Sequence, residues 1–316
     1  MRTAPLAAAL AAVLAAPGAR ALEEPKASPR EVNGHAFMPS LIIAPPVAVG
    51  SFAVGMTLGA GGASGPSYDS GGNVTGTRDY TYAALGQVLA YEFAFLKNFT
   101  GRLGLTTSLF TGIDGPSVLV VGTTVRFGAG AGLTWSFPLG NQFRLGASVD
   151  VSYLPQLNLL VAAAILAALQ NSIYDPSLAF QQNNVFTWAP AVTAAWAPLS
   201  AVGFTAVLGF TGSSLTAPGK TYERDAVSAG VLGEVDFGKF TPVDVGLNFA
   251  FRKNFGINSA QSDVTDVGGA LLYTGKPEVS LGLEVLARTL TMRPQLPDPI
   301  KTTFPVAQIF VRYFWL

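Results

Sequence analysis

The feature that most constrains this chain is an alternation of apolar and polar side chains with a period of two residues. It is clearest over residues 243–254, where one set is apolar and the other polar or small: Val243, Val245, Leu247, Phe249 and Phe251 against Asp244, Gly246, Asn248, Ala250 and Arg252. Successive side chains of a β-strand point to opposite faces, so the pattern predicts a strand with one apolar face. It recurs over 125–137, 142–154 and 278–290.

Composition indicates which environment the apolar faces meet. The chain is 49% hydrophobic and only 12% charged, whereas about 25% charged residues is usual in a soluble domain. After the N-terminal segment there is no run of apolar residues long enough for a helical span, which needs roughly 18 or more. A transmembrane barrel spreads its apolar residues one by one along alternating strands, so it explains both properties.

About twelve strands are predicted, and their connections sort into two kinds. The strands lie at 49–60, 79–95, 100–112, 125–137, 142–154, 184–197, 201–212, 224–237, 242–254, 265–274, 278–290 and 304–316. With the N-terminus in the periplasm, the outer loops are mostly long: 61–78, 155–183, 213–223, 256–264 and 291–303, with one short turn at 113–117. The inner turns are tight, at 97–98, 139–141, 199–200, 238–239 and 275–276. Long outer loops and short inner turns are typical of bacterial barrels, so we predict an all-β, antiparallel up-and-down transmembrane barrel.

The segment before the barrel divides into two parts. Residues 1–21 have the features of a cleaved signal peptide: Arg2, an apolar stretch over 5–16, and small residues at Ala19 and Ala21. They predict export to the outer membrane of a Gram-negative-type cell. Residues 22–48 form either a lead-in or a lumenal plug, because the stretch 37–46 is apolar but broken by prolines, which disfavour a paired central strand. The barrel itself is predicted to span 49–316.

An apolar stretch over 157–170 interrupts the alternation. Alanine and leucine favour a helix there, with Asn158 as the N-cap, and a helix that is apolar all round must be buried. It is too short to span a bilayer and falls in the third outer loop. Three placements stay open: a constriction inside the lumen, a position in the outer leaflet, or a cap over the mouth. The candidates for a constriction are Leu159, Leu160, Ile165, Leu166 and Leu169.

Charged residues on the polar faces are predicted to form two rings in the lumen. The ring near the periplasmic end contains Glu92, Arg102, Arg144, Glu234, Asp236, Asp244, Glu278 and Arg312, and the outer ring contains Arg126, Asp150, Arg252 and Arg288. Mixed signs favour ion pairs that satisfy one another, because buried charges are usually paired. The alternative is a selectivity filter. The candidate selectivity residues are Arg102, Arg126, Arg144, Asp150, Glu234, Asp236, Arg252, Arg288 and Arg312.

Several functional classes are disfavoured by what the chain lacks. It has no cysteine, which excludes disulfides and thiolate chemistry, and no basic patch that would suggest a nucleic-acid partner. The only histidine, His35, precedes every predicted barrel strand and is interpreted as incidental, so serine–histidine catalysis is excluded. We expect no enzymatic activity, no cofactor and no metal.

The C-terminal residues 304–316 carry a resemblance to a known class. Ile309, Val311, Tyr313 and Trp315 form an alternating face that ends on aromatics. This resembles the last strand of bacterial outer-membrane proteins, which implies contact with outer-membrane lipid and recognition by the barrel-assembly machinery. The chain resembles channel-forming outer-membrane barrels and, more loosely, outer-membrane transporters of fatty acids and hydrocarbons. The resemblance implies passive uptake of a small, apolar solute. A structural or adhesive surface barrel with a sealed lumen is the alternative.

Overall fold

The computed structural model describes residues 30–68, 74–114, 122–159, 180–217, 219–257, 263–292 and 300–315. A two-residue hairpin, β1 (Glu31–Val32) and β2 (His35–Ala36), precedes twelve long strands. These are β3 (Gly50–Tyr68), β4 (Val74–Leu96), β5 (Phe99–Gly112), β6 (Thr123–Leu139), β7 (Phe143–Leu159), β8 (Phe180–Leu199), β9 (Val202–Ala217), β10 (Lys220–Asp236), β11 (Val245–Gly256), β12 (Asp263–Lys276), β13 (Val279–Met292) and β14 (Ile300–Trp315).

The twelve strands form one closed antiparallel barrel. Each pairs with its neighbours in the chain, and β14 closes the cylinder by pairing with β3 from Trp315↔Gly50 to Val306↔Gly59. A closed barrel leaves no unpaired edge, which a bilayer requires because lipid cannot hydrogen-bond exposed backbone groups. The predicted all-β up-and-down barrel and its strand number are confirmed.

The alternation seen in the sequence separates the outside of the barrel from the lumen. On β11, Leu247 and Phe249 are exposed on the outer wall, whereas Asn248 and Ala250 between them are buried inside. On β7, Val149 and Val151 are likewise exposed. The outer wall is therefore apolar and the inner wall carries the polar and small side chains, as expected of a barrel in lipid.

An aromatic girdle covers much of the outer wall, on β14 and on β4 to β9, at the end of the barrel that carries the short turns, here called the turn end. Its rings follow one another around the outer wall with centroids 5.5–6.3 Å apart, for example Tyr91–Trp315, Phe99–Trp135 and Phe143–Trp196. Aromatic side chains of this kind concentrate at the level of the lipid headgroups. The outward face predicted for the last strand is part of the girdle, since Tyr313 packs edge-on against Trp315.

The structure corrects two details of the predicted connections. The strands continue into the predicted outer loops, because cross-strand backbone pairing persists where the apolar alternation fades, as between β9 and β10 down to Ala217↔Lys220. The predicted tight turn at 238–239 is a longer connection, over 237–244. It contains a 3-10 turn at Phe237–Lys239, where Asp236 accepts a hydrogen bond from the Gly238 amide.

The predicted helix over 157–170 is wrong in its first turn. Residues 157–159 belong to β7, where Leu159 pairs with both Thr123 and Phe180. Asn158 is not an N-cap and instead accepts a hydrogen bond from the Thr124 hydroxyl. Pairing on both sides satisfies the backbone there and outweighs helix propensity. The rest of that segment, with Leu160, Ile165, Leu166 and Leu169, lies outside the described residues, which contain no α-helix. Across the described ranges, no helix is long and apolar enough to cross a membrane.

Candidate functional site

Residues 30–49, here called the lumenal segment, lie inside the barrel. Phe37, Met38, Ile42 and Ile43 are each at most 3% exposed although they belong to no barrel strand. The segment starts at the turn end, where the Arg30 guanidinium donates to the carbonyls of Phe37 and of Pro277 in the β12–β13 turn. It rises into the lumen and returns to the turn end to begin β3 at Gly50.

Arg30 anchors this entry point. Its guanidinium lies 4.0 Å above the ring of Phe314, and burial lowers its pKa to about 10, with the nearby Glu234 opposing that shift. A pKa of about 10 leaves Arg30 charged at neutral pH. The Asn33 amide holds the adjacent turn of the hairpin by donating to the carbonyl of Ala197.

The lumenal segment crosses a row of polar side chains that lie side by side on neighbouring strands. Glu234 on β10 is paired in register with Asn248, Asn248 with Ala270, and Ala270 with Glu284 on β13. Glu234 accepts a hydrogen bond from the Met38 amide, Asn248 donates to the Pro39 carbonyl, and Glu284 accepts from the Leu41 amide at 2.7 Å and from the Ser40 hydroxyl at 3.0 Å. This polar row (Glu234, Asn248 and Glu284) therefore supplies partners for a backbone that has no sheet of its own.

His35 is part of the same arrangement. Its Nε2 lies 2.7 Å from a carboxylate oxygen of Glu234, its Nδ1 lies 3.3 Å from the Ser200 carbonyl, and the side chain is fully buried. The interpretation of His35 as incidental did not foresee this contact. The lone histidine ties the hairpin of the lumenal segment to the barrel wall.

Glycines on the inner wall make room for the lumenal segment. A Cβ on Gly203 would come within 2.5 Å of the His35 ring, and a Cβ on Gly246 would come within 2.2 Å of the Met38 side chain. A Cβ on Gly146 would likewise come within 2.5 Å of Pro46, and a Cβ on Gly230 would come within 2.9 Å of Ile43. These four glycines lie on four different strands, so the inner wall is complementary in shape to the lumenal segment at several points.

Apolar contacts complete the fit. Ile42 and Ile43 pack with Leu232, Ala250 and Leu286 at mid-lumen. Nearer the turn end, Met38 packs with Ala270, Leu272 and Phe310, while Val32 and Phe37 pack with Ala195 and Ala197. On the other side of the lumen, the Ser136 hydroxyl donates to the Pro46 carbonyl at 2.6 Å.

The charged residues predicted for the lumen are mostly paired. Arg102 on β5 reaches across Gly132 on β6 to bind Asp150 on β7, and all three residues are opposite one another in register. A Cβ on Gly132 would lie 2.0 Å from an Asp150 carboxylate oxygen, so glycine there is needed for the pair. Arg312 lies 3.7 Å from Glu92.

The other candidates have different environments. Arg288 donates to both oxygens of Asp266, at 2.7 and 3.1 Å. Arg252 donates to the Ile42 carbonyl and the Ser228 hydroxyl, and Asp236 accepts from Thr274 besides capping its turn. Arg144 lies near the turn end of β7 and Arg126 toward the other end of β6, so the structure does not bring either into the polar row.

Glu284 and Asp266 also face the lumen, although neither was predicted as a member of the two rings. Both occupy inward positions of strands whose outward neighbours are apolar, such as Leu283 and Val285 beside Glu284. Strict application of the alternation would have found them. No local signal in the sequence links Glu284 to residues 40 and 41, which are more than 240 positions away in the chain.

A cavity of about 190 Å³ remains beside the lumenal segment. One side is formed by residues 42–46 of that segment, and the other by residues of β5 to β11, most of them on β7 to β9. Its polar members include Arg102, Asp150 and Arg252, so apolar and charged surfaces meet there.

Together, the closed cylinder, the apolar outer wall and the aromatic girdle define a transmembrane β-barrel of the bacterial outer-membrane type. No protein-family model matches the chain, and no curated protein matches it.

Similar folds occur among solved structures. The toluene transporter TodX of Pseudomonas putida is 10% identical, with a TM-score of 0.43 over 86% of this chain and 90% of that one. An outer-membrane channel from Pseudomonas putida F1 is 11% identical, with a TM-score of 0.47 over 88% and 100%. A FadL homologue of Pseudomonas aeruginosa is 11% identical, with a TM-score of 0.45 over 89% and 97%. Because these TM-scores are below 0.5, the function proposed below rests on the geometry of the barrel itself.

Proposed function

We propose that this barrel is an outer-membrane channel through which small, apolar solutes pass without an energy source. The lumenal segment restricts the passage from the turn end. The observation that carries the proposal is the asymmetry of the inner wall around that segment.

The two sides of the lumen are built from different residues. On β10 to β14, large inward side chains pack against the lumenal segment, including Leu232, Glu284, Leu286 and Phe310, and the segment also fills the space over inward glycines such as Gly230 and Gly246. On β6 to β9 many inward positions are small: Gly128, Gly130, Gly132, Gly146, Ser148, Ala189, Ala191, Thr193 and Gly209. A barrel that served only as a rigid scaffold would gain stability from filling this space. The small-residue wall, as these positions are called below, instead leaves room for a solute.

The apolar tip of the lumenal segment supports the choice of solute. Ile42, Ile43 and Pro45 face the cavity together with Val207. Apolar surface in a lumen disfavours ions and sugars and favours apolar molecules. An engineered apolar cavity of about 150 Å³ holds a benzene molecule, so the space here suits a solute of one aromatic ring.

The proposal is tested by uptake into cells whose outer membrane slows apolar solutes. Cells that express the protein should accumulate radiolabelled benzene faster than cells with an empty vector. A protonophore should leave the initial rate unchanged, because passive flow needs no energy. Folded protein in the outer membrane without faster uptake would contradict the proposal.

A sealed barrel with a structural or adhesive role is the second candidate. It is favoured by the hydrogen bonds from the polar row to the lumenal segment, which fix that segment inside the lumen. The two candidates differ in the intact protein: a channel should pass solute with the segment in place, whereas a barrel sealed by the segment should pass none until the segment is removed.

We also propose the export and assembly route that the sequence predicts. Residues 1–21, outside the described residues, act as a cleaved signal peptide, and residues 22–48 precede the barrel as a plug. The assembly machinery recognises the last strand. The outward row Ile309, Val311, Tyr313 and Trp315 on β14 supports this role, since the same strand closes the barrel against β3.

A further inference from the structure

The charges around the lumenal cavity do not balance. Arg102 and Asp150 line it and neutralise each other, while Arg252 also lines it and carries a further positive charge. The carboxylate nearest to Arg252 in register is Asp266, directly opposite on β12. Both oxygens of Asp266 already accept hydrogen bonds from Arg288. Two guanidinium groups, those of Arg252 and Arg288, therefore lie near one carboxylate. The three charged residues that line the cavity, Arg102, Asp150 and Arg252, carry a net charge of +1.

Arg252 is also weakly held. Its two hydrogen bonds, to the Ile42 carbonyl and the Ser228 hydroxyl, are 3.4 and 3.3 Å long, beyond the usual 2.7–3.2 Å for such bonds. Its Nε has no hydrogen-bond partner among the described residues. A guanidinium can form two parallel, charge-assisted hydrogen bonds with a carboxylate, which are shorter and stronger than bonds to neutral oxygens. No carboxylate in the described ranges forms such a pair with Arg252.

We propose that the cavity binds a small organic anion, namely a carboxylate on an apolar body of about one aromatic ring. The carboxylate pairs with the Arg252 guanidinium in place of its two long bonds. The apolar body lies between Ile43 and Pro45 of the lumenal segment and the small side chains of β8 and β9. The protein thereby selects amphipathic anions over neutral molecules of the same shape.

The size and composition of the cavity fit this ligand class. The space of about 190 Å³ exceeds the roughly 150 Å³ that accommodates benzene, which leaves room for a carboxylate group. Its lining supplies both kinds of contact, with Val207 and Ala191 among the apolar members and Arg252 at one side. An inorganic anion would use only the charge, and a hydrocarbon would use only the apolar wall.

The inference goes beyond the proposed function by adding a site for an amphipathic anion to a passage proposed for apolar solutes, and it rests on that function only in that the ligand reaches the cavity through the lumen. It is tested by equilibrium binding to the full mature chain folded in detergent, against a detergent-only blank. The probes are benzoate, its neutral analogue benzamide, and acetate, which has the charge without the ring. Benzoate should bind at least about tenfold more tightly than either, which corresponds to about 1.4 kcal/mol.

Three variants locate the effect. Arg252→Gln should remove the preference for benzoate over benzamide, and Arg252→Lys should restore part of it. Lys253→Gln removes a positive charge from the next residue, which faces outward and stacks on Phe255, so it should leave the preference intact. Heat-modifiable migration on gels confirms that each variant is folded.

The outcomes separate this inference from the channel proposal. Equal affinity for benzoate and benzamide in the unaltered protein would overturn the inference, whatever the variants do. A preference that survives in Arg252→Gln would overturn the role of Arg252. Tight, Arg252-dependent benzoate binding without solute uptake would contradict the channel and leave the binding site standing.

Discussion

Glu284 illustrates how one inward side chain fixes part of the lumenal segment. It is 1% exposed and accepts hydrogen bonds from the Leu41 amide and the Ser40 hydroxyl. A buried carboxylate has a high desolvation cost unless such donors surround it. Its two oxygens match two donors that would otherwise lack partners at the centre of the barrel.

Replacing Glu284 by glutamine should loosen the lumenal segment without unfolding the barrel. Glutamine keeps the shape but has a single acceptor oxygen, so one donor of residues 40 and 41 loses its partner at a cost of about 1–3 kcal/mol. Amide hydrogen exchange of residues 38–45 should become about tenfold faster or more. Glu92→Gln is the matched control, because Glu92 binds Ser51 and Arg312 and no residue of the segment. Equal exchange in both variants would show that Glu284 does not hold the segment.

The buried contacts of His35 with Glu234 and Ser200 could not be predicted from the sequence. A single histidine in a polar stretch before the first barrel strand has no local feature that distinguishes a buried contact from an exposed one. Its environment is created by Glu234 and Ser200, which approach it only after the barrel has closed. Glu234 itself was predicted to face the lumen, because alternation along its own strand fixes its direction.

At the scale of a strand, an added charge should have different effects on the two faces of β7. Val149 faces outward and is 41% exposed on the lipid side, while its neighbour Ser148 faces the lumenal cavity. Val149→Arg should reduce the yield of folded barrel in bilayers, since an arginine on the lipid face near mid-membrane costs about 2–4 kcal/mol. Ser148→Arg should fold nearly as well as the unaltered protein. Equal yields, measured by heat-modifiable migration after refolding into liposomes, would mean that the faces are assigned wrongly.

The strands could be predicted because the side-chain alternation that indicates a strand is visible within that strand's own sequence. Lipid on one side and a lumen on the other impose a period of two on a crossing strand, which is clear in four stretches such as 243–254, and weaker stretches between them indicated the other eight strands. The ends were less predictable. Beyond the membrane the wall continues as paired strands whose side chains need not alternate, so residues 213–217 and 220–223 were assigned to a loop although they pair with one another.

The course of the lumenal segment through the barrel could not be predicted from the alternation of side chains. Its apolar, proline-broken sequence left a plug and a lead-in equally open. Most of the groups that hold it lie on β8 to β13, more than 150 residues later in the chain. Contacts of that range depend on barrel closure and carry no periodic signal.

For the molecule as a whole, the lumen has two unequal halves. The half formed by β10 to β14 is packed with the lumenal segment through the polar row and the apolar clusters. The half formed by β6 to β9 carries small inward side chains and the cavity. Under the proposed function, this division lets one barrel hold a segment firmly while solute passes beside it, and residues 30–46 restrict that passage.

Single-channel conductance in planar bilayers tests this central claim most directly. The intact protein is compared with two variants at matched folding yield, one lacking residues 30–46 and one in which those residues are replaced by a glycine–serine sequence of equal length. Both variants should show discrete open events several-fold larger than any in the intact protein, because the turn end is no longer filled. Folded variants with no more conductance than the intact barrel would contradict the account and favour a lumen sealed by other parts of the chain.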